Sequence, residues 1–236
     1  MIEDNTSPNK YFEGIFVTDV SVIQQKLQHI KVFVFDWDGV FNDGRKNIDG
    51  HSRFSETDSM GINMMRFSFY LQHKELPVSV IFTGENNKLA ISFAQRENFH
   101  SVYYKTPNKK KALEHLCELY KLSPLEILFV FDDVLDFSVA QHAGIRCMVS
   151  HDANTLLKKF AVENRLTDYI TKHNGNNNAV REVSELIMML TGNFNQTIEN
   201  RMHFSELYNE YLQLRKSIST QKFIIKDQSI AEDINE

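Results

Sequence analysis

Compact apolar runs alternate along this chain with stretches whose apolar positions recur three and four residues apart. The compact runs are rich in β-branched and aromatic residues and read as buried strands; the periodic stretches read as amphipathic helices. The spacing predicts a helix over Asp19–His29, entered through Thr18, and then a first core strand, Lys31–Phe35. The stretch Asn42–Glu56 contains Asp43-Gly44 and Asp49-Gly50, two turn signals that predict a projecting β-hairpin. Helix Asp58–His73, strand Val78–Phe82, helix Asn87–Glu97 and a short strand at Val102–Tyr103 are expected next. They are followed by helix Lys109–Tyr120, strand Ile127–Phe131, helix Asp136–Ala143 with Gly144 as its C-cap, strand Cys147–Val149 and a last strand at Asp168–Ile170. Strands alternating with helices imply an α/β protein: a Rossmann-like, three-layer α/β/α arrangement around a parallel sheet.

The pattern changes after Asn174. An Asn-rich loop leads to a helix over Ala179–Leu190, and a second long amphipathic helix is predicted over Asn195–Lys216. That second stripe reads more readily as a strap across its own subunit than as a partner-binding face. The acidic, polar stretch from Asp227 onward is expected to fray. These features divide the chain into a main domain, 1–192, and a C-terminal helical extension with an acidic tail, 193–236.

Composition narrows the function classes. The 236 residues carry a formal net charge of −5, with a pI near 6.0. That balance argues against nucleic acid or an anionic membrane as the main partner. No apolar run is long enough to span a bilayer, and the acidic start Met1-Ile2-Glu3-Asp4 is unlike a secretory leader, so a cytoplasmic location is expected. Cys117 and Cys147 lie far apart without metal-ligand spacing and read as reduced structural thiols.

The candidate chemistry sits where strands end. Asp36-Trp37-Asp38-Gly39 follows the first strand, Thr83-Gly84 the second, and Asp132-Asp133 with Asp136 the third, while Lys109 opens the helix between the last two. Ligands of open α/β sheets bind at the carboxyl ends of strands. Carboxylates crowded together there repel one another unless a cation or proton intervenes. A nucleophile, an acid/base, a hydroxyl, a cation and hard oxygen ligands are the components that phosphoryl transfer requires.

In these four motifs, taken in this order, the chain resembles the haloacid dehalogenase-like phosphatases from about Lys31 to Leu190. Within that superfamily, Asp38-Gly39-Val40-Phe41-Asn42-Asp43-Gly44-Arg45, the Asp58…Gly61-Ile62 segment and Gly175…Ala179-Val180-Arg181-Glu182-Val183 are similar to the 3-deoxy-D-manno-octulosonate 8-phosphate phosphatases and the related acylneuraminate-9-phosphate phosphatases. The stretches from Gly44 to Thr83 and from Thr83 to Lys109 are too short for a separate cap domain. The resemblance implies a Mg²⁺-dependent phosphatase acting on a small-molecule sugar phosphate, a 2-keto-3-deoxy sugar acid ester, with no nucleic-acid or membrane partner, and with Asp36 as nucleophile and Asp38 as acid/base. It implies Thr83 and Lys109 on the phosphoryl oxygens, with Gly39, Gly84, Arg45 and Arg181 toward substrate. The metal set it implies is Asp36, Asp38 (through its carbonyl), Asp132, Asp133 and Asp136, the last two also orienting Lys109. It further implies a homotetramer in which a neighbour's Asn42–Glu56 hairpin completes each site.

The chain departs from that pattern at several points. Phe131 stands where the family places Gly and is expected to narrow the site or alter the turn; Trp37 is expected to restrict or shape the leaving-group side. Asn42 replaces Thr, Ser59 replaces Gly, and Asn176-Asn177-Asn178 replace part of a Gly-rich loop. For Arg181, a substrate carboxylate and a helix ion pair with Glu182 or Glu185 are both open. A non-catalytic relative serving as a binding or oligomeric scaffold is the alternative, and a phosphate-transferring mutase a weaker one.

Overall fold

The computed structural model describes residues 7–46 and 53–234. Its strands are β1 (Ile15–Phe16), β2 (Val32–Asp36), β3 (Val78–Phe82), β4 (Ser101–Tyr103), β5 (Ile127–Phe131), β6 (Ile145–Met148), β7 (Tyr169–Ile170), β8 (Gln221–Lys226) and β9 (Ser229–Glu232). Its helices are α1 (Val20–Leu27), α2 (Glu56–His73), α3 (Lys88–Arg96), α4 (Lys109–Tyr120), α5 (Phe137–Ala140), α6 (Thr155–Glu163), α7 (Ala179–Thr191), α8 (Phe194–Met202) and α9 (Glu206–Lys216). All nine strands form one sheet in the order β1-β7-β6-β5-β2-β3-β4-β8-β9. Every pairing from β7 to β8 is parallel; β1 and β9 run antiparallel at the two edges.

Strand alternation sends apolar side chains to both faces. Phe33 and Phe35 enter one core with α2, α3 and α7, while Val32 and Val34 enter the other with Ala112 and Leu116 of α4. Covered on both sides, β2 and β5 are buried along their whole lengths, which is why they read as continuous apolar runs. From β2 the chain builds outward through β3 and β4, then crosses to build β5, β6 and β7 on the other side. Loops leaving β2 and β5 therefore diverge, and such a switch point opens a crevice at the carboxyl ends of the strands.

Several expectations are corrected. Thr18 does not cap α1; its hydroxyl donates to Asp168 at 2.7 Å. Gly144 is not a left-handed cap, because α5 ends at Ala140 with Gln141 as its C-cap. Gly144 is instead needed for close approach, since a Cβ there would lie 2.0 Å from the Leu125 carbonyl oxygen. The long helix over Asn195–Lys216 is two helices, broken at His203–Ser205, where Phe204 has φ of 46° and the Ser205 side chain caps α9. Tyr169–Ile170 is not the last strand: β8 follows α9, and the tail expected to fray from Asp227 turns there and pairs with β8 as β9. β1 and α6 went unread in the sequence. The predicted hairpin lies partly outside the described residues; its described flanks, 42–46 and 53–55, form turns and coil.

The strap reading of the extension agrees with the packing. Tyr208 and Tyr211 of α9 meet Phe67 of α2 at ring-centroid distances of 5.0 and 5.2 Å, and β8 extends the sheet from β4.

Candidate active site

β2 carries Asp36 to its last position, and the backbone then turns at Gly39, whose φ of +86° favours glycine. Space also demands glycine there, because a Cβ would fall 1.9 Å from Asp132 Oδ2. Asn42 closes this turn: its Oδ1 accepts from the backbone N–H groups of Gly39 and Gly44 at 3.3 and 2.8 Å, and its Nδ2 donates to the Trp37 carbonyl. An amide can serve three backbone groups at once, which accounts for Asn at this position.

Lys109, the first residue of α4, is buried and donates to both Asp36 Oδ1 and Asp136 Oδ1 at 2.5 Å. Ligand oxygens of Asp36, Asp132 and Asp136 all lie within 4.8 Å of one another, a group able to hold a cation among the described residues. Burial pushes Asp36 up to about 7, against the pull of Lys109 and with Asp132 adding repulsion. Burial and then Asp36 push Asp136 to about 7, again against Lys109. Burial disfavours the Lys109 ammonium, but Asp136 and Asp36 override it and hold its pKa above the usual lysine range. Two of these carboxylates, Asp36 and Asp136, thus share one ammonium, and Asp132 beside them meets the ring of His151 at 3.1 Å, so the group remains short of positive charge. Hard oxygen donors, close spacing and uncompensated negative charge suit Mg²⁺.

These groups line a cleft of about 550 Å³ together with Asp38, Gly39, Thr83 and Gly84. Asp38 has Asn87 Nδ2 3.4 Å from Oδ1 and Lys46 Nζ 3.4 Å from Oδ2. Asp133 also borders the cleft, but its carboxylate accepts from the backbone N–H of Val134 at 2.6 Å, starting the turn over Val134–Asp136. Lys110 and Lys111 point away: Lys110 lies 3.9 Å from Glu114, and Lys111 donates to the Gln228 carbonyl. Arg45 is exposed beside Asp43 at 3.5 Å. Arg181 donates to Glu185 at 2.6 Å and lines a separate cavity with Thr57, Lys172 and Asn178, so within one subunit it does not join the cleft.

Both bulky departures face away from the cleft. Trp37 is fully buried, stacked on Phe41 at 4.7 Å and packed against Phe93. Phe131 is equally buried, stacked on Phe129 at 5.2 Å. Strand alternation turns these rings into the cores while the neighbouring aspartates face the crevice. The expectations that Phe131 narrows the site and Trp37 shapes the leaving-group side are therefore withdrawn. Ser59 instead donates to Glu97 at 3.0 Å, and Asn178 adopts the left-handed conformation otherwise suited to glycine.

Two cleft residues escaped the sequence reading. His151, in the loop after β6, lies 3.1 Å from Asp132 Oδ2, and its contact with that carboxylate raises its pKa. Lys46 stands at the mouth beside Asp38. A lone histidine in a polar loop and a lysine beside a turn carry no local signal.

No family model matches the chain. Among curated proteins, 3-deoxy-D-manno-octulosonate 8-phosphate phosphatase KdsC of Escherichia coli strain B is 28% identical over 178 residues, covering 74% of this chain and 87% of the relative. The Yersinia pestis protein of the same name is 27% identical, covering 78% and 92%. Among solved structures, the phosphatase of that name from Moraxella catarrhalis, in complex with magnesium, phosphate and KDO, superposes with a TM-score of 0.62 at 26% identity, covering 76% of this chain and 97% of that one. A probable YrbI-family phosphatase from Pseudomonas syringae gives 0.65 at 25% identity, covering 77% and 98%. The chain has an α/β fold, a mostly parallel sheet flanked by helices, shared with these solved phosphatases. By sequence it is a homologue of the 3-deoxy-D-manno-octulosonate 8-phosphate phosphatases, and these relatives are phosphoric monoester hydrolases.

Proposed function

We propose that the chain is a Mg²⁺-dependent phosphatase that hydrolyses the phosphate monoester of a sugar, specifically a 2-keto-3-deoxy sugar acid, through an aspartyl-phosphate. The observation that supports this reading best is the convergence of Asp36, Asp132 and Asp136 from distant chain segments, with Lys109 bonded to the first and the last of them. Asp36 and Asp132, with the Asp38 carbonyl, are the residues that would hold Mg²⁺, and Asp133 and Asp136 would support that shell. The ion would offset the repulsion between a carboxylate nucleophile and a phosphate dianion.

The Asp36 carboxylate attacks phosphorus as the ester oxygen leaves, so one difficult hydrolysis becomes two easier displacements. Asp38 gives its proton to the departing sugar oxygen and then takes one from the water that opens the acyl phosphate. Lys109, fixed by Asp136, and the Thr83 hydroxyl with the Gly84 backbone stabilise charge on the phosphoryl oxygens. Arg45 and Arg181 are assigned to substrate in the assembled tetramer, where a neighbour's 42–56 segment closes the cleft against water. Residues 1–192 form the catalytic unit and 193–236 its appendage. A cytoplasmic location fits this role, and no helix among the described residues is long and apolar enough to cross a membrane.

The scaffold alternative loses its main support because Phe131 leaves the cleft open. The test is hydrolysis of 3-deoxy-D-manno-octulosonate 8-phosphate and p-nitrophenyl phosphate with Mg²⁺ and with a chelator. Turnover that stops on chelation is expected; none on any sugar phosphate would sink the phosphatase reading. Light scattering of the same sample is expected to give a tetramer, and a monomer at micromolar concentration would remove the assembly from the proposal.

A further inference from the structure

The cleft is strongly unbalanced in charge. Among the described residues seven carboxylates border it, against two lysines, Lys109 and Lys46, and the imidazole of His151. Lys109 is buried and committed to Asp36 and Asp136 at the phosphoryl end. Lys46 stands at the mouth, 3.4 Å from Asp38 Oδ2 and 4.0 Å from Glu85 Oε1, with about a third of its side chain exposed. Both distances exceed the 2.7–2.9 Å or so of a close charge-assisted hydrogen bond. Its ammonium bridges the loops after β2 and β3 without being locked to either.

The position of Lys46 is set by the chain around it. The turn that starts at Gly39 is tied by Asn42 to Gly44, two residues before Lys46. The lysine therefore emerges beside Asp38, the group assigned to protonate the leaving oxygen. A leaving group that carries its own negative charge meets the carboxylates of Asp43 and Glu85 on this rim and is repelled by each. A neutral alcohol requires no cation there, but a sugar acid does.

We propose that Lys46 is the specificity-determining cation that binds the carboxylate of the departing sugar acid, exchanging its loose contacts with Asp38 and Glu85 for the substrate. This rests on the sugar-acid reading above. It places the phosphate on Lys109 and the carboxylate on Lys46, two lysines that line one cleft.

Two measurements on the full chain test it. Titration calorimetry with 3-deoxy-D-manno-octulosonate in the presence of Mg²⁺ and inorganic phosphate reads the subsite without turnover. Lys46→Met is expected to weaken that binding about tenfold or more, the usual scale for a hydrogen bond to a charged group, and Lys46→Arg to restore most of it. In kinetics, the Lys46→Met loss in kcat/KM on the sugar-acid ester should exceed its loss on p-nitrophenyl phosphate by a similar factor, chiefly through KM. Equal losses on both esters, or unchanged binding of the sugar acid, would overturn the proposal and leave Lys46 as a damper of repulsion between Asp38 and Glu85. Binding that depends on Lys46 in a protein that hydrolyses no ester would break the phosphatase reading and keep the subsite.

Discussion

Two buried ionic clusters in this molecule have opposite character. At Asp168, between β6 and β7, one carboxylate faces an excess of donors. Arg146 reaches it with Nε and Nη2 at 2.8 and 2.9 Å, Lys26 and Thr18 donate at 2.7 Å, and the backbone N–H of Arg146 adds another bond at 2.9 Å. Burial alone would raise its pKa, yet Arg146, Lys26 and Thr18 outweigh burial and hold it below the ordinary aspartate value. In the cleft, Asp36 and Asp136 share Lys109 beside a third carboxylate, Asp132, and both are pushed up to about 7. A saturated carboxylate is a structural joint; a cluster left short of positive charge has room for a cation and a phosphate. Perturbed groups gather at functional sites for this reason, and the direction of the shift separates the two kinds.

The contrast can be tested by substitution at each cluster. Asp36→Asn should lower kcat on p-nitrophenyl phosphate by at least about 10³-fold, as removal of a covalent nucleophile does, with circular dichroism unchanged. If that variant keeps near-normal turnover, the cleft cluster is not the reacting centre. Asp168→Ala should leave chemistry largely alone but cost about 3 kcal/mol in denaturant unfolding, because it leaves Arg146 and Lys26 near the interior without their partner. A loss under about 1 kcal/mol would show the joint to be dispensable.

The smallest effect concerns pH and a third carboxylate. Asp58 on α2 is fully buried, with Oδ1 accepting from the Arg181 backbone N–H at 2.8 Å and Oδ2 without a partner. Burial pushes its pKa to about 7, against the pull of Arg181. An unfolded aspartate titrates near 3.9 or so, so between about pH 4 and 7 the folded chain holds a proton that the unfolded chain has released. Stability contributed here falls as pH rises through that window and then levels off. Asp58→Asn should flatten the slope and gain about 1 kcal/mol at pH 8. Asp168 has the reverse sign: its contribution is present above the unfolded value and is lost as pH falls through its lower folded value. An unchanged pH profile in the Asn variant would show that Asp58 is not the group responsible.

Much of the fold was legible because its signals are local. The apolar runs of β3 and β5 and the periodic stripe of α4 match the structure residue for residue, since burial on both sheet faces imposes continuous apolarity. The acidic strand ends were legible too, because ligand chemistry at a strand tip must be written within a few residues. Other features depended on contacts across the fold. The polar sequence of β8 became a strand because β4 offered it an open edge about 120 residues away in the chain, with Ser101 opposite Gln221.

The order of strands and helices, the placement of carboxylates at strand ends and the lysine opening α4 were determined by the sequence itself, through periodicities and turn preferences that act over a few residues. Only the tertiary structure decided that Trp37 and Phe131 turn inward, that His151 and Lys46 reach the cleft, and that Arg181 lies in a cavity apart from it within one subunit. Those outcomes depend on which faces meet when distant segments pack, and the energy that settles them comes from neighbours that a local pattern does not contain.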